Sequence, residues 1–214
     1  LISLRSSNNR VLLILIAVSL GIFLCIATML HGPGSLPTWL DSWDVATANY
    51  FGVRRNDTAT SVAIVLTALG DGKFLTPLVL LAAGILAWRK RQRAAILLLL
   101  SGATASAVGP MLKFLFARAR PDESSRLVFV DTFSFPSNHA LSATTVYLAL
   151  AQLLRAQRSN LRTSAAPLVA AMLLILAIDT TRIYLGVHYL SDVIAGTCVG
   201  IAIAAFFALF NHPK

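Results

Sequence analysis

Apolar residues in this chain come in long blocks, and the short polar stretches between the blocks hold nearly all of its charge. A block of roughly 20 apolar residues is long enough to cross a bilayer as a helix, and residues 11–30 form one. Arg5 and Arg10 precede it as in a signal peptide. The run is longer than a cleavable apolar segment and lacks a convincing small-residue cleavage site, so it reads as an uncleaved anchor. Residues 31–57 carry Pro33, Pro37, Trp39, Asp41, Trp43 and Asp44, a composition suited to the headgroup zone where indole rings settle. Residues 58–88 are apolar but interrupted by Gly70-Asp71-Gly72-Lys73, which leaves 74–88 as the second span and 59–69 too short to cross alone. Further spans follow at about 94–116, 140–154, 165–183 and 193–210. The pattern predicts an all-α fold: a six-transmembrane-helix bundle with a short interfacial segment between the first two spans, one integral membrane domain over residues 1–214.

Composition agrees with the pattern and adds an orientation. With 57% hydrophobic residues, 13% charged residues and a mean hydropathy of +0.74, the chain reads as an integral membrane protein with no stretch left for a separate soluble domain. Six spans put both termini on one side. That side carries Arg5, Arg10, Arg89, Lys90, Arg91, Arg93, Arg155, Arg158, Arg162 and Lys214 and no acidic residue, whereas all nine acidic residues lie opposite. Basic excess marks the cytoplasmic face. The net charge of +9 is therefore a topology signal, and no aromatic and basic interleaving points to nucleic acid. Cys25 and Cys198 sit in apolar runs and read as small packing residues.

Candidate chemistry gathers at the outer ends of the last four spans, in KFLFARARP (residues 113–121), PSNH (136–139) and TRIYLGVHYLSD (181–192). Lys113 and Arg120 are seven apart and share a face if the helix continues, while Arg118 would point elsewhere and reads, with Asp122, Glu123 and Arg126, as a solvated loop residue. His188 and Asp192 are neighbours at helical spacing, where a carboxylate fixes the imidazole tautomer. Two histidines, one carboxylate and the cations Lys113, Arg120 and Arg182 suit phosphoryl transfer. Cations hold the equatorial oxygens, one histidine attacks phosphorus and the other protonates the leaving oxygen. No metal-ligand motif is present, so neither a divalent ion nor another cofactor is called for. Gly70-Asp71-Gly72-Lys73 lacks P-loop spacing, and His31 and His212 read as structural. Asp179 stays open between a functional carboxylate and a partner for Arg182; Gly196 and Gly200 suggest close helix packing.

At these residues the chain resembles the type 2 phosphatidic acid phosphatase (PAP2) superfamily of membrane lipid phosphatases, which shares its site with vanadium haloperoxidases. The family pattern is Lys, six residues, Arg-Pro; then Pro-Ser-Gly-His; then Ser-Arg, five residues, His, three residues, Asp. Lys113, Arg120 and Pro121 match the first element, Pro136, Ser137 and His139 the second, and Arg182, His188 and Asp192 the third. Asn138 stands where the family has Gly, and Thr181 where it has Ser. The resemblance implies that His188 is the nucleophile of a phosphohistidine intermediate, oriented by Asp192, that His139 is the general acid, and that Lys113, Arg120, Ser137, Asn138 and Arg182 surround the phosphoryl group. It implies a multi-pass plasma membrane enzyme whose site faces the periplasm or exterior and whose partners are the bilayer and a lipid phosphate such as undecaprenyl diphosphate, phosphatidylglycerophosphate or phosphatidate. A lipid A phosphatase or phosphotransferase is the alternative within the family. A non-catalytic anion transporter or binding protein is the alternative outside it, and would call for internal repeats with broken helices in both halves.

Overall fold

The computed structural model describes residues 2–31, 37–155 and 161–211, with side chains outside 2–8, 31 and 161–164. Of the positions singled out above, Pro33, Arg158, His212 and Lys214 lie outside the described residues, as do the side chains of Arg5, His31 and Arg162. Among the described residues the chain forms eight α-helices: α1 (Ile2–His31), α2 (Thr38–Gly52), α3 (Asp57–Ala68), α4 (Gly72–Trp88), α5 (Gln92–Phe116), α6 (Asn138–Arg155), α7 (Leu161–Tyr184) and α8 (Leu190–Leu209). A single 3-10 turn, Glu123–Ser125, interrupts the loop between α5 and α6.

Among the described residues, four helical stretches are long and apolar enough to cross a bilayer, namely Asn9–Leu30, Gln92–Phe116, Ala165–Tyr184 and Leu190–Leu209. The expected second span, residues 74–88, is corrected: α4 is 17 residues long and does not qualify alone, but the α3–α4 pair qualifies jointly as a fifth, bent by 42°. The bend falls where Gly70-Asp71 breaks the apolar run. Side-chain caps make both sides of it helical: Asn56 accepts from Ala59 N at 2.9 Å to start α3, and Asp71 accepts from Lys73 N at 2.8 Å to start α4.

The fourth expected span, α6, fails on composition, and its position explains why. It packs against α4, α5, α7 and α8, and Ala140, Leu141, Ala143 and Thr145 are fully buried. A helix surrounded by other helices need not present apolar side chains to lipid, so Ser142, Thr144 and Thr145 are admitted. At 18 residues it is about 27 Å long, close to the hydrocarbon thickness. Small residues on α8 bring it close: a Cβ at Gly196 would lie 2.4 Å from Ser137 O, and one at Gly200 would lie 2.7 Å from Leu141 O.

Two local expectations are corrected. Helix α5 does not continue to Arg120; it ends at Phe116, where Ala117 turns left-handed at φ 45°. Lys113 and Arg120 therefore do not share a helical face, and Arg120 reaches the same region from a loop. In the segment that composition placed in the headgroup zone, α2 exposes Trp39 and Trp43 but turns Asp44, 1% exposed, inward with Leu40.

Candidate active site

A cavity of about 550 Å³ opens where the α3–α4 bend, the end of α5, the start of α6 and the α7–α8 connection meet. Lys113, Arg120, His139, Arg182 and His188 all line it, together with Asn138. Each arrives for a local reason. Lys113 occupies the last turn of α5, and its Nζ is held by the carbonyls of Phe133 and Ser134. Asn138 and His139 open α6 after the Pro136-Ser137 turn. Arg182 ends α7, its Nη1 donating to Thr67 Oγ1 of α3 at 2.7 Å. Gly186, at φ 72°, bends the chain so that His188 falls just before α8.

His188 sits between a carboxylate and a guanidinium. Its Nδ1 is 3.4 Å from Asp192 Oδ2, and its Nε2 is 3.1 Å from Arg120 Nη1. A guanidinium can only donate, so Nε2 carries the lone pair and Nδ1 carries the hydrogen directed at Asp192. Burial holds the imidazole well below the usual histidine range; Asp192 opposes this, and Arg120 and Arg182 add to it. His188 is thus a neutral base with its lone-pair nitrogen facing the cations. Arg120 is fixed by Thr132 O at 2.6 Å and Val187 O at 2.5 Å, and burial lowers it to about 10, against the pull of Asp192. His139 is the more open histidine, its Nε2 3.8 Å from Asp71 Oδ2.

Ser137 is not at the cavity surface. It is fully buried, its hydroxyl 3.4 Å from Ala140 N and its own N–H donating to Asp192 O at 2.9 Å, so it starts α6 and ties that turn to α8. Asp192, also fully buried, accepts from Tyr189 N at 2.9 Å and from Ser134 Oγ. Asn138 lies flush with α5, and Gly109 is what makes room: a Cβ there would be 1.9 Å from Asn138 Oδ1. Among the described residues that buried oxygen has no hydrogen-bond partner, and neither has Arg182 Nε.

Several residues of this region were not legible as such. Arg118 is not a solvated loop residue: its Nη1 donates to Asp192 Oδ1 at 2.5 Å and its Nη2 to Asp44 Oδ2 at 2.8 Å. Burial alone would weaken its hold on the proton, but Asp192 and Asp44 outweigh that and raise it above the ordinary arginine value. Asp71, passed over as a broken P-loop, lines the cavity beside His139. Asp179 bonds Thr197 Oγ1 of α8 at 2.7 Å and forms no ion pair with Arg182. No local signal could have raised Asp44 and Asp71, since all nine acidic residues fall on the side expected to carry the cations.

The PAP2 superfamily pattern matches residues 94–214. Among curated proteins, the chain is 34% identical to phosphatidylglycerophosphatase B of Bacillus subtilis over 64% of its own length and 67% of that protein's. It is 34% identical to decaprenylphosphoryl-5-phosphoribose phosphatase of Mycobacterium tuberculosis over 60% of its length and 67% of that protein's. Among solved structures, it is similar to a transmembrane PAP2-type phosphatidylglycerolphosphate phosphatase from Bacillus subtilis, with a TM-score of 0.81, 28% identity and coverage of 90% and 94% of the two chains. It is also similar to LpxE of Aquifex aeolicus, with a TM-score of 0.59, 25% identity and coverage of 77% and 93%.

Proposed function

Because the chain belongs to the PAP2 superfamily of membrane lipid phosphatases, we propose that it hydrolyses the phosphate or diphosphate monoester of a membrane lipid through a phosphohistidine on His188. The observation that supports this best is the free Nε2 of His188 opening onto a cavity that Lys113, Arg120 and Arg182 also line. In this reading the three cations draw in the phosphate and hold its equatorial oxygens as charge redistributes. His188 Nε2 attacks phosphorus, the P–O bond to the lipid breaks, and His139 gives its proton to the departing oxygen. Water then attacks the phosphohistidine, His139 takes its proton, inorganic phosphate leaves, and His188 is free again. Asp192 keeps the hydrogen on Nδ1 and balances the charge the ring gains.

The whole chain is read as one phosphatase domain with six spans, in which α3 with α4 makes the second and α6 the fourth. Both termini then face the cytoplasm and the cavity faces the periplasm or exterior, as the basic loops require. Phosphatidylglycerophosphate, phosphatidate, polyprenyl phosphates and diphosphates, and lipid A make the substrate panel.

The test is a phosphoenzyme trap. Purified protein given a labelled long-chain lipid phosphate and quenched in base is expected to carry acid-labile label that His188→Ala abolishes, with turnover lost by a factor on the order of 10⁴ or more. Turnover should survive EDTA and fall with vanadate. Substantial activity in folded His188→Ala would sink the assignment.

A further inference from the structure

Asp192 is gripped from a direction that His188 does not explain. Its Oδ1 accepts Arg118 Nη1 at 2.5 Å, and the same guanidinium turns Nη2 to Asp44 Oδ2 at 2.8 Å. Asp44 also accepts from Ser191 N at 2.9 Å and from Ser191 Oγ at 2.6 Å, so it holds the residue next to Asp192 as well. Arg118 Nη1 reaches Ser191 Oγ at 2.8 Å, and the guanidinium lies 4.2 Å from the centre of the Tyr189 ring. The chain thus keeps a second carboxylate, 1% exposed, from a helix remote in sequence. Such a buried charge gives little net stability compared with apolar packing. Its geometry is better suited to fixing a position.

We infer that Asp44 and Arg118 are positioning residues for the transfer step: through Ser191 and Asp192 they fix the carboxylate that orients His188, which makes α2 part of the catalytic frame as well as a membrane-surface helix. The inference rests on His188 being the nucleophile. A planar guanidinium shared between two carboxylates sets both the angle of Asp192 and the share of its negative charge left for the imidazole. The charged groups around the pair are Lys113 of α5, Arg120 of the loop, Arg182 of α7, Arg118 itself and Asp44 of α2. Of these, Arg118 is the cation hydrogen-bonded to Asp192.

The two ends of this network therefore act on His188 with opposite sign. Without the Arg118 charge, Asp192 is less neutralised and draws a proton onto His188 more strongly, so the acid limb of kcat/KM moves to higher pH. Without the Asp44 charge, Arg118 belongs to Asp192 alone, and the limb moves to lower pH. In both cases the looser carboxylate lowers kcat. Partners that stand behind a reacting histidine are worth about 10- to 100-fold by analogy with metal-ligating histidines.

The experiment measures pH profiles of kcat and kcat/KM on a long-chain phosphatidate in mixed micelles for the wild type, Asp44→Asn, Arg118→Gln and Arg118→Lys, with elution volume and thermal midpoint as folding checks. Asp44→Asn and Arg118→Gln are expected to lose at least about tenfold in kcat with KM nearly unchanged, and their acid limbs to move apart. Arg118→Lys, which keeps the charge but cannot fork between two carboxylates, should return the limb to its wild-type position while kcat stays low; it also serves if Arg118→Gln does not fold. Wild-type kcat in folded Asp44→Asn, a raised KM at constant kcat, or limbs that move the same way would overturn the inference. His188→Ala run in parallel separates the two ideas, because turnover in that variant removes the nucleophile assignment whatever Asp44 does.

Discussion

At position 138 an asparagine fills the space that Gly109 of α5 leaves open, and the two positions have to be read together. A Cβ at Gly109 would fall 1.9 Å from Asn138 Oδ1 and 3.0 Å from Cγ, so Gly109→Ala must drive the amide away from α5. Because Asn138 lines the cavity, that movement crowds the phosphate. Gly109→Ala is expected to cut kcat/KM by about tenfold or more, roughly 1.4 kcal/mol in the transition state. Asn138→Gly should keep or raise activity, since it removes a buried oxygen without a partner, and the double variant should recover what Gly109→Ala loses. Additive losses in the double variant would show that the pair is not coupled through this contact. The residues that motif spacing picks out do gather in one place, with Ser137 and Asp192 buried behind the cavity wall. Asp44 and Arg118 escaped because their meaning lies in contacts across long separations: Asp44 and Ser191 are 147 positions apart, and no local pattern connects them.

Helices were legible where an apolar run is unbroken rather than in proportion to exposure, since the α8 span is more than half buried and still has a mean hydropathy of 2.1. The apolar blocks of α1, α5, α7 and α8 announce themselves because the bilayer admits little else on their outer surfaces. Their ends were harder to read. Lys113 and Arg120 have the right spacing for one helical face, yet a left-handed Ala117 sends the chain off at Phe116. Helix α6 shows how packing overrides hydropathy: its neighbours supply the apolar surroundings, and α8 approaches it over Gly196 and Gly200. This close approach carries a functional consequence. The atom that a Cβ at Gly196 would meet at 2.4 Å is Ser137 O, which is backbone and cannot swing aside. It is also the carbonyl that accepts Leu141 N to begin α6, one residue before Asn138 and two before His139. Gly196→Val is therefore expected to lower the thermal midpoint, with about 1–3 kcal/mol of overpacking, and to lower kcat more than a Gly84→Val control, since a Cβ at Gly84 meets nothing within 4 Å. Equal kcat in the two variants would mean that the α6 turn tolerates displacement.

For the molecule as a whole, the question is how a phosphate at the cavity stays attached to chains in the bilayer. A second, largely apolar cleft of about 290 Å³ runs between α4 and α5 with part of α6 as its floor. Its upper end adjoins the cavity at three points: Gly72 follows Asp71, Ser106 lies one turn below Pro110, and Ser142 lies one turn below His139. From Gly72 to Leu80 it follows about 12 Å of helix. Thr76, Leu80, Ala103 and Ser106 leave it open at the side that faces lipid. A hydrocarbon chain lying in it would contribute up to roughly 0.8 kcal/mol per methylene relative to water. Relative to lipid it gains far less, so its effect is mainly to orient the headgroup. The enzyme is therefore expected to prefer long-chain lipid phosphates to glycerol phosphate at equal bulk concentration in reconstituted vesicles. Ser106→Phe, which fills the mouth nearest the cavity from an exposed position, should erase most of the difference between long and short chains while hydrolysis of a small aryl phosphate persists. A matching Ala177→Phe in the groove between α3 and α7 is the control: Arg182 bonds Thr67 across those two helices at the end nearest the cavity, so chain preference there should not change. Equal rates on glycerol phosphate and a long-chain substrate in the wild type would remove the lipid requirement itself. A loss of chain preference in Ala177→Phe but not in Ser106→Phe would move the chain to the other groove.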